Sequence, residues 1–88
     1  MHALYSEIAD EPVRGDVVMK ALDKLNVFGV AFREVIVYYL ENRGITLDKA
    51  HCYSLREIER HLRVLFGEQV TPRIMKMIEA GIKEQYYS

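Results

Sequence analysis

The sequence predicts an all-α fold, a compact bundle of four main helices behind a short N-terminal arm. Three observations predict it. Apolar residues recur at helical spacing, in Leu55, Ile58, Leu62, Leu65 and Phe66 and again in Ile74, Ile78 and Ile82. Start signals stand at Asp16, Ser54 and Thr71, residue types whose side-chain oxygens accept from the free N–H groups of a first helical turn. Gly44 and Gly67 follow two of the apolar runs, where a helix ends most easily on a residue without a β-carbon.

Residues 1–15 read as the arm, and residues 16–88 as a single helical domain. Leu4, Tyr5 and Ile8 can share one apolar face of a short turn, and Pro12 and Gly15 end whatever forms there. The first main helix is expected over 17–26, capped by Asp16. Val18, Leu22 and Leu25 share a face with Ala21 beside them, and Lys20, Asp23 and Lys24 take the other side. Val27 and Phe28 then drop into the core as a buried connection before Gly29. The second helix is expected over 30–43. Phe32, Val35, Ile36, Tyr39 and Leu40 form a broad face, and Val37 and Tyr38 add apolar surface on the far side. The run 35–39 also suits a buried strand, since β-branched and aromatic residues pack well on a pleated surface. Its setting in about 13 residues without a turn signal favours helix.

Between 45 and 53 the pattern is weakest. Ile45 and Leu47 point inward, and Asp48 caps a short turn through Cys52. The third helix, 54–66, opens on Ser54-Leu55-Arg56-Glu57, a capping box with Ser at the cap and Glu three residues on. Arg56, Glu57, Glu59, Arg60 and Arg63 occupy its polar side, with Glu59 and Arg63 in the favourable i,i+4 order. The fourth, 72–86, opens on Thr71-Pro72, a cap followed by proline at the first helical position. Gly81 interrupts this helix at about 1 kcal/mol relative to alanine and suits a close helix crossing.

Composition narrows the classes of function. Of 88 residues, 50% are apolar and 28% charged, and 12 basic against 13 acidic side chains leave a net charge of −1. Such a chain folds rather than staying disordered. One cysteine, Cys52, permits no internal disulfide and no cysteine-rich zinc site. No apolar run approaches the roughly 18 residues of a membrane span. No basic segment followed by an apolar stretch opens the chain, so the expectation is a cytoplasmic protein with no membrane partner.

No polar set converges in the sequence. The one suggestive cluster is His51-Cys52-Tyr53, with His61 on the following helix. Neighbouring side chains diverge, so this cluster reads as a packed thiol beside a solvated imidazole. Glu57 and His61 stand i,i+4, the smallest fragment of a metal site, and read as a surface pair. The five glycines are scattered singly, without the clustered turn a phosphate requires. The expectation is therefore a non-enzyme with no catalytic residue, metal or cofactor. Met19, Met75 and Met77 with Phe28, Phe32 and Phe66 have two readings, a filled core or a lined pocket. Arg56, Arg60, Arg63, Arg73 and Lys76 compose a candidate nucleic-acid face. Glu57, Glu59, Glu68 and Glu79 interleave with them, and a dedicated binder normally carries a positive balance.

The segments 30–40 and 74–82 carry apolar residues beyond a single stripe. A chain this short buries such helices on all sides only with difficulty. The excess predicts a homodimer with Val37 and Tyr38 as candidate interface residues, or else an arm that folds back through Leu4, Tyr5 and Ile8.

Over residues 21–86 the order of signals resembles a known family. Ala21-Leu22 and Leu25 lead through Gly29 to Tyr39-Leu40-Glu41-Asn42-Arg43-Gly44-Ile45, then to Ser54-Leu55-Arg56-Glu57, Leu65-Phe66-Gly67 and a final Ile- and Met-rich helix. This is similar to the small archaeal helical domains of the Nitrosopumilus output domain family. The resemblance implies a non-enzymatic signalling-output or protein-interaction module with an unidentified protein partner, and it carries over only the structural positions Gly44, Ile45, Phe66 and Gly67. The alternative function is a small nucleic-acid-binding regulator.

Overall fold

The computed structural model describes residues 9–87, so Leu4, Tyr5 and Ile8 lie outside the described residues. In chain order the elements are β1 (Val13–Arg14), α1 (Gly15–Ala21), a 3-10 helix (Leu22–Phe28), α2 (Val30–Asn42), β2 (Cys52–Tyr53) and α3 (Leu55–Tyr87).

The fold is mainly helical, but it is not the expected bundle of four main helices. The first expected helix divides at Leu22, where α1 tightens into the 3-10 helix. Three residues per turn in place of 3.6 re-aim every side chain that follows. Leu22 and Leu25 stay buried, three apart on one 3-10 edge, while Val27 and Phe28 come out to solvent at 76% and 54% exposure. The expected buried connection at Val27 and Phe28 is thus overturned. Asp16 is not the cap either. Arg14 holds the cap position without a side-chain bond, and Asp16 sits in the first turn of α1 paired with Arg14.

The expected third and fourth helices run together as α3. A single residue separates their halves: Gly67, at φ 86° and ψ 179°. That conformation is essentially closed to residues with a β-carbon. Helical geometry resumes directly after it, so Thr71 and Pro72 fall inside the second half rather than opening it. Thr71 is fully buried and does not cap by accepting. Its hydroxyl instead donates back toward the break, to the Gly67 carbonyl at 2.7 Å and the Leu62 carbonyl at 3.3 Å. The bond to Gly67 is the back-bond that a helical threonine makes to the carbonyl four residues earlier.

Other end signals act as read. The Gly44 N–H donates to the Glu41 carbonyl at 3.1 Å and the Ile45 N–H to the Leu40 carbonyl at 2.9 Å, the paired bonds of a Schellman end, and Ile45 is buried. Ser54 Oγ accepts from the Glu57 N–H at 3.1 Å, the first half of the capping box.

The fold is also not purely helical. β1 and β2 pair antiparallel, Val13 with Tyr53 and Arg14 with Cys52. The Gly15 N–H donates to the His51 carbonyl at 2.7 Å, and the Arg56 N–H to the Ala9 carbonyl at 3.0 Å. The crossing segment is thereby stitched to the chain before α1. Asp48 Oδ1 accepts from the Ala50 N–H at 3.0 Å and caps a short turn, but the turn does not run through Cys52 as expected, because Cys52 pairs with Arg14 in the sheet.

The core gathers Val18, Leu22 and Leu25 with Ile36, Leu40 and the inward side chains of both halves of α3, among them Leu55, Ile58, Leu62, Ile74, Ile78 and Ile82. At the crossing of α1 with α3, a β-carbon on Gly81 would stand 2.8 Å from Ala21 Cα and 2.9 Å from its carbonyl oxygen. Gln85 fastens this crossing, donating to the Val17 carbonyl at 2.9 Å.

Candidate functional site

The break at Gly67 swings the second half of α3 beside the start of α2. Phe28, Phe32 and Phe66 meet there in a row. The Phe28 and Phe32 rings lie 5.2 Å apart, tilted by 54°, and Phe32 stacks on Phe66 at 5.4 Å and 27°. Such aromatic pairs add about 0.5–1.5 kcal/mol beyond the area they bury. This row nevertheless stays open to water at its Phe28 end.

Beside it lies a groove of about 360 Å³, lined by Phe28, Phe32, Gln69, Val70, Arg73, Ile74 and Met77. Exposed Val27 and Val30 flank Phe28 in the chain, so bulky apolar side chains concentrate at this end of the molecule.

Met19, Phe32, Phe66 and Met77 are half-buried against the core, and some of them also line surface depressions. Met75 fills the core, whereas Met77, Phe28 and Phe32 line the groove. Met19 lies at a second, shallower groove of about 260 Å³ with Arg33, Glu34, Val37, Tyr38 and Glu41. Val37 and Tyr38, read together as interface residues, therefore do share one depression. Val37 is half-buried against the core and Tyr38 is 69% exposed. A third and larger depression, about 800 Å³, is lined by Lys20, Asp23, Lys24, Gly81, Glu84 and Gln85, and its Lys24 and Glu84 pair with each other.

The five cations of the candidate nucleic-acid face do not form one free surface. Arg56 Nε is held at 2.6 Å by Asp10, a carboxylate from the chain preceding β1. Arg63 lies between Glu59 at 2.6 Å and Glu68 at 3.2 Å. Arg60, Arg73 and Lys76 have no ion-pair partner among the described residues. Arg60 precedes the break and the other two follow it, with Arg73 on the groove wall.

At the crossing segment His51 Nδ1 lies 2.7 Å from Asp48 Oδ1, and the His51 ring stacks on Tyr53. The hydrogen bond from His51 holds the Asp48 carboxyl below its ordinary pKa. Hydrogen bonds from Arg56 and Arg14 do the same for Asp10 and Asp16. Cys52 is exposed on β2. Among the described residues no group of three or more His, Cys, Asp and Glu side chains is arranged to hold a metal ion, and no helix is long and apolar enough to cross a membrane.

The sequence did not single out Val27, Val30, Gln69 or Val70 for this surface. The one available signal was crowding: Val27, Phe28 and Val30 surround a glycine too closely for all three to reach one core face. Compared with known proteins, this chain matches no family model, no curated protein and no solved structure.

Proposed function

We propose that this chain is a non-enzymatic, cytoplasmic protein-interaction module of the signalling-output type, acting through the apolar end built by Phe28, Phe32, Val70 and Met77. The observation that carries the reading is the Phe28–Phe32–Phe66 row, ordered by ring contacts yet open to solvent. Burying that row against a partner would add apolar contact without the entropy of ordering it first. The likeness of the helix-end signals to the Nitrosopumilus output domain family supports the same class of function. A homodimer through Tyr38 is a separate proposal, because Tyr38 and the aromatic row line different grooves.

A photo-crosslinking residue at Val30, expressed in the native host beside a control at Lys49, tests the reading. A discrete protein adduct from position 30 alone is expected. Equal labelling at both positions, or none at 30, refutes it. Cys52→Ala and His61→Ala are expected to leave the cellular phenotype unchanged, and loss of function with unchanged stability in either would return the chain to the enzymes. Mixed-sequence DNA provides the remaining contrast: tight binding that weakens steeply with salt would favour the nucleic-acid alternative through Arg60, Arg73 and Lys76.

A further inference from the structure

The aromatic groove has two helical walls. On α3, Val70, Arg73, Ile74 and Met77 follow one another at spacings of three, four and seven from the first. On the other side Phe28 and Phe32 stand four apart, across the join of the 3-10 helix and α2. At about 360 Å³ the space lies at the small end of the range of about 300–1,000 Å³ typical of ligand pockets. It accommodates bulky side chains rather than the body of a helix. A groove of this form takes an amphipathic helix lying across its mouth, with apolar anchors at i and i+3 or i+4.

The charge at the mouth selects the kind of helix. Arg73 lines the groove, Lys76 follows three residues later on the same helix, and neither has an ion-pair partner among the described residues. Arg63, before the break, is by contrast occupied by two carboxylates. A guanidinium beside an apolar floor is well suited to a carboxylate, which it can hold by two parallel hydrogen bonds.

We propose that this groove binds a short acidic amphipathic helix of another protein, which seats two bulky apolar side chains on Phe28, Phe32, Ile74 and Met77 and sets a carboxylate against Arg73. The proposal rests on the interaction-module reading above. A second copy is the weaker occupant. In a two-fold contact the same patch faces itself, so Arg73 and Lys76 would meet their own counterparts. A nucleic acid leaves the apolar floor unused and finds Arg56 and Arg63 already engaged.

A displayed library of random 16-residue peptides, selected on the full chain, provides the test. Enriched peptides are expected to share two bulky apolar residues three or four apart, with Asp or Glu within a turn of them. Phe28→Ala and Arg73→Glu, both at exposed positions and checked for an unchanged melting temperature, should weaken these peptides by about tenfold or more, equivalent to about 1.4 kcal/mol. Arg60→Glu, an exposed cation away from the groove, should leave binding within about twofold by the same scale.

Peptides that require Phe28 but ignore Arg73→Glu would overturn the acidic partner while leaving the interaction module standing. Enrichment that does not depend on Phe28 at all would overturn the partner and the module together. Self-association of the parent chain that Phe28→Ala abolishes would give the groove to a second copy and overturn the proposal.

Discussion

Gly81 is a residue whose side chain is missing for a reason visible in its neighbour. Alanine there would strengthen the helix by about 1 kcal/mol in isolation. Its β-carbon would also stand 2.8 Å from Ala21 Cα, a backbone atom that moves only if α1 moves. Overpacking of this sort costs about 1–3 kcal/mol, so the clash outweighs the propensity. Gly81→Ala is expected to lower the thermal midpoint by several degrees, read from helical circular dichroism. Adding Ala21→Gly should recover only part of the loss, because Ala21 Cα and its carbonyl stay in place. An unchanged midpoint would mean the crossing has slack that the geometry denies. Acid tests another set of single residues. Asp10, Asp16 and Asp48 have folded pKa values below the ordinary carboxylate value, chiefly through hydrogen bonds from Arg56, Arg14 and His51. Depressed carboxylates stabilise the fold fully above the unfolded pKa of about 4, and that stability drains as pH falls through the lower folded values. All three lie at the surface, so the effect is small and weakens with salt. Melting temperature measured between neutral and strongly acid pH should fall at the acid end, and Asp10→Asn should flatten the fall. A steeper fall in that variant contradicts the sign.

At the scale of elements, α3 depends on one residue. Gly67 adopts φ 86° and ψ 179°, with nothing within 4 Å of where a β-carbon would stand. Any penalty for substitution is therefore backbone strain alone, about 1–3 kcal/mol for an L-residue held in such a region. For a D-residue the mirror-image angles are ordinary extended backbone. Gly67→Ala should thus destabilise the chain, whereas D-alanine at the same position, introduced by ligation at Cys52, should match or exceed the parent by restricting the unfolded state. Equal losses from both enantiomers would point to side-chain crowding and contradict the geometry. Gly67 also marks what sequence can convey. The Gly44 end and the Ser54 cap were legible because their bonds join residues within five positions. Thr71-Pro72 misled because threonine serves equally as an acceptor at a start and as a donor behind a break. The strands were invisible, since two residues carry no alternation and their partners lie some 40 positions apart. Phe28 and Phe32 were visible as candidates for a pocket, but their wall, Gln69 to Met77, reaches them only through the turn at Gly67.

Over the whole molecule, exposed apolar surface does not come from a loose chain. The radius of gyration is 11.9 Å, against about 12 Å from the compact-domain scaling for 88 residues. The accessible surface of 5395 Å² agrees with about 5,400 Å² for a folded monomer of this mass. Val27, Val30, Val35 and Tyr38 are nevertheless exposed on this condensed fold. For Tyr38 and Val35 on the outer side of α2, we propose a second copy. Two α2 helices running antiparallel about Tyr38 would bury the tyrosine rings at the centre while their hydroxyls stay wet at the edge. The same arrangement sets Glu34 of one copy opposite Glu41 of the other, and both residues flank Tyr38 at its groove. Like charges there weaken the contact at low ionic strength, so added salt should strengthen it, the opposite sign to nucleic-acid binding. Sedimentation at micromolar concentration should therefore give twice the 10.3 kDa monomer mass, with more dimer at higher salt. Tyr38→Glu should return the chain to monomer, whereas Phe28→Ala, in the other groove, should leave the dimer intact. Val37→Glu is the poorer probe, because Val37 also packs on the core and its loss would mix instability with dissociation. A parent that sediments as a monomer at every salt concentration refutes the dimer, and a dimer indifferent to Tyr38→Glu moves its interface off α2.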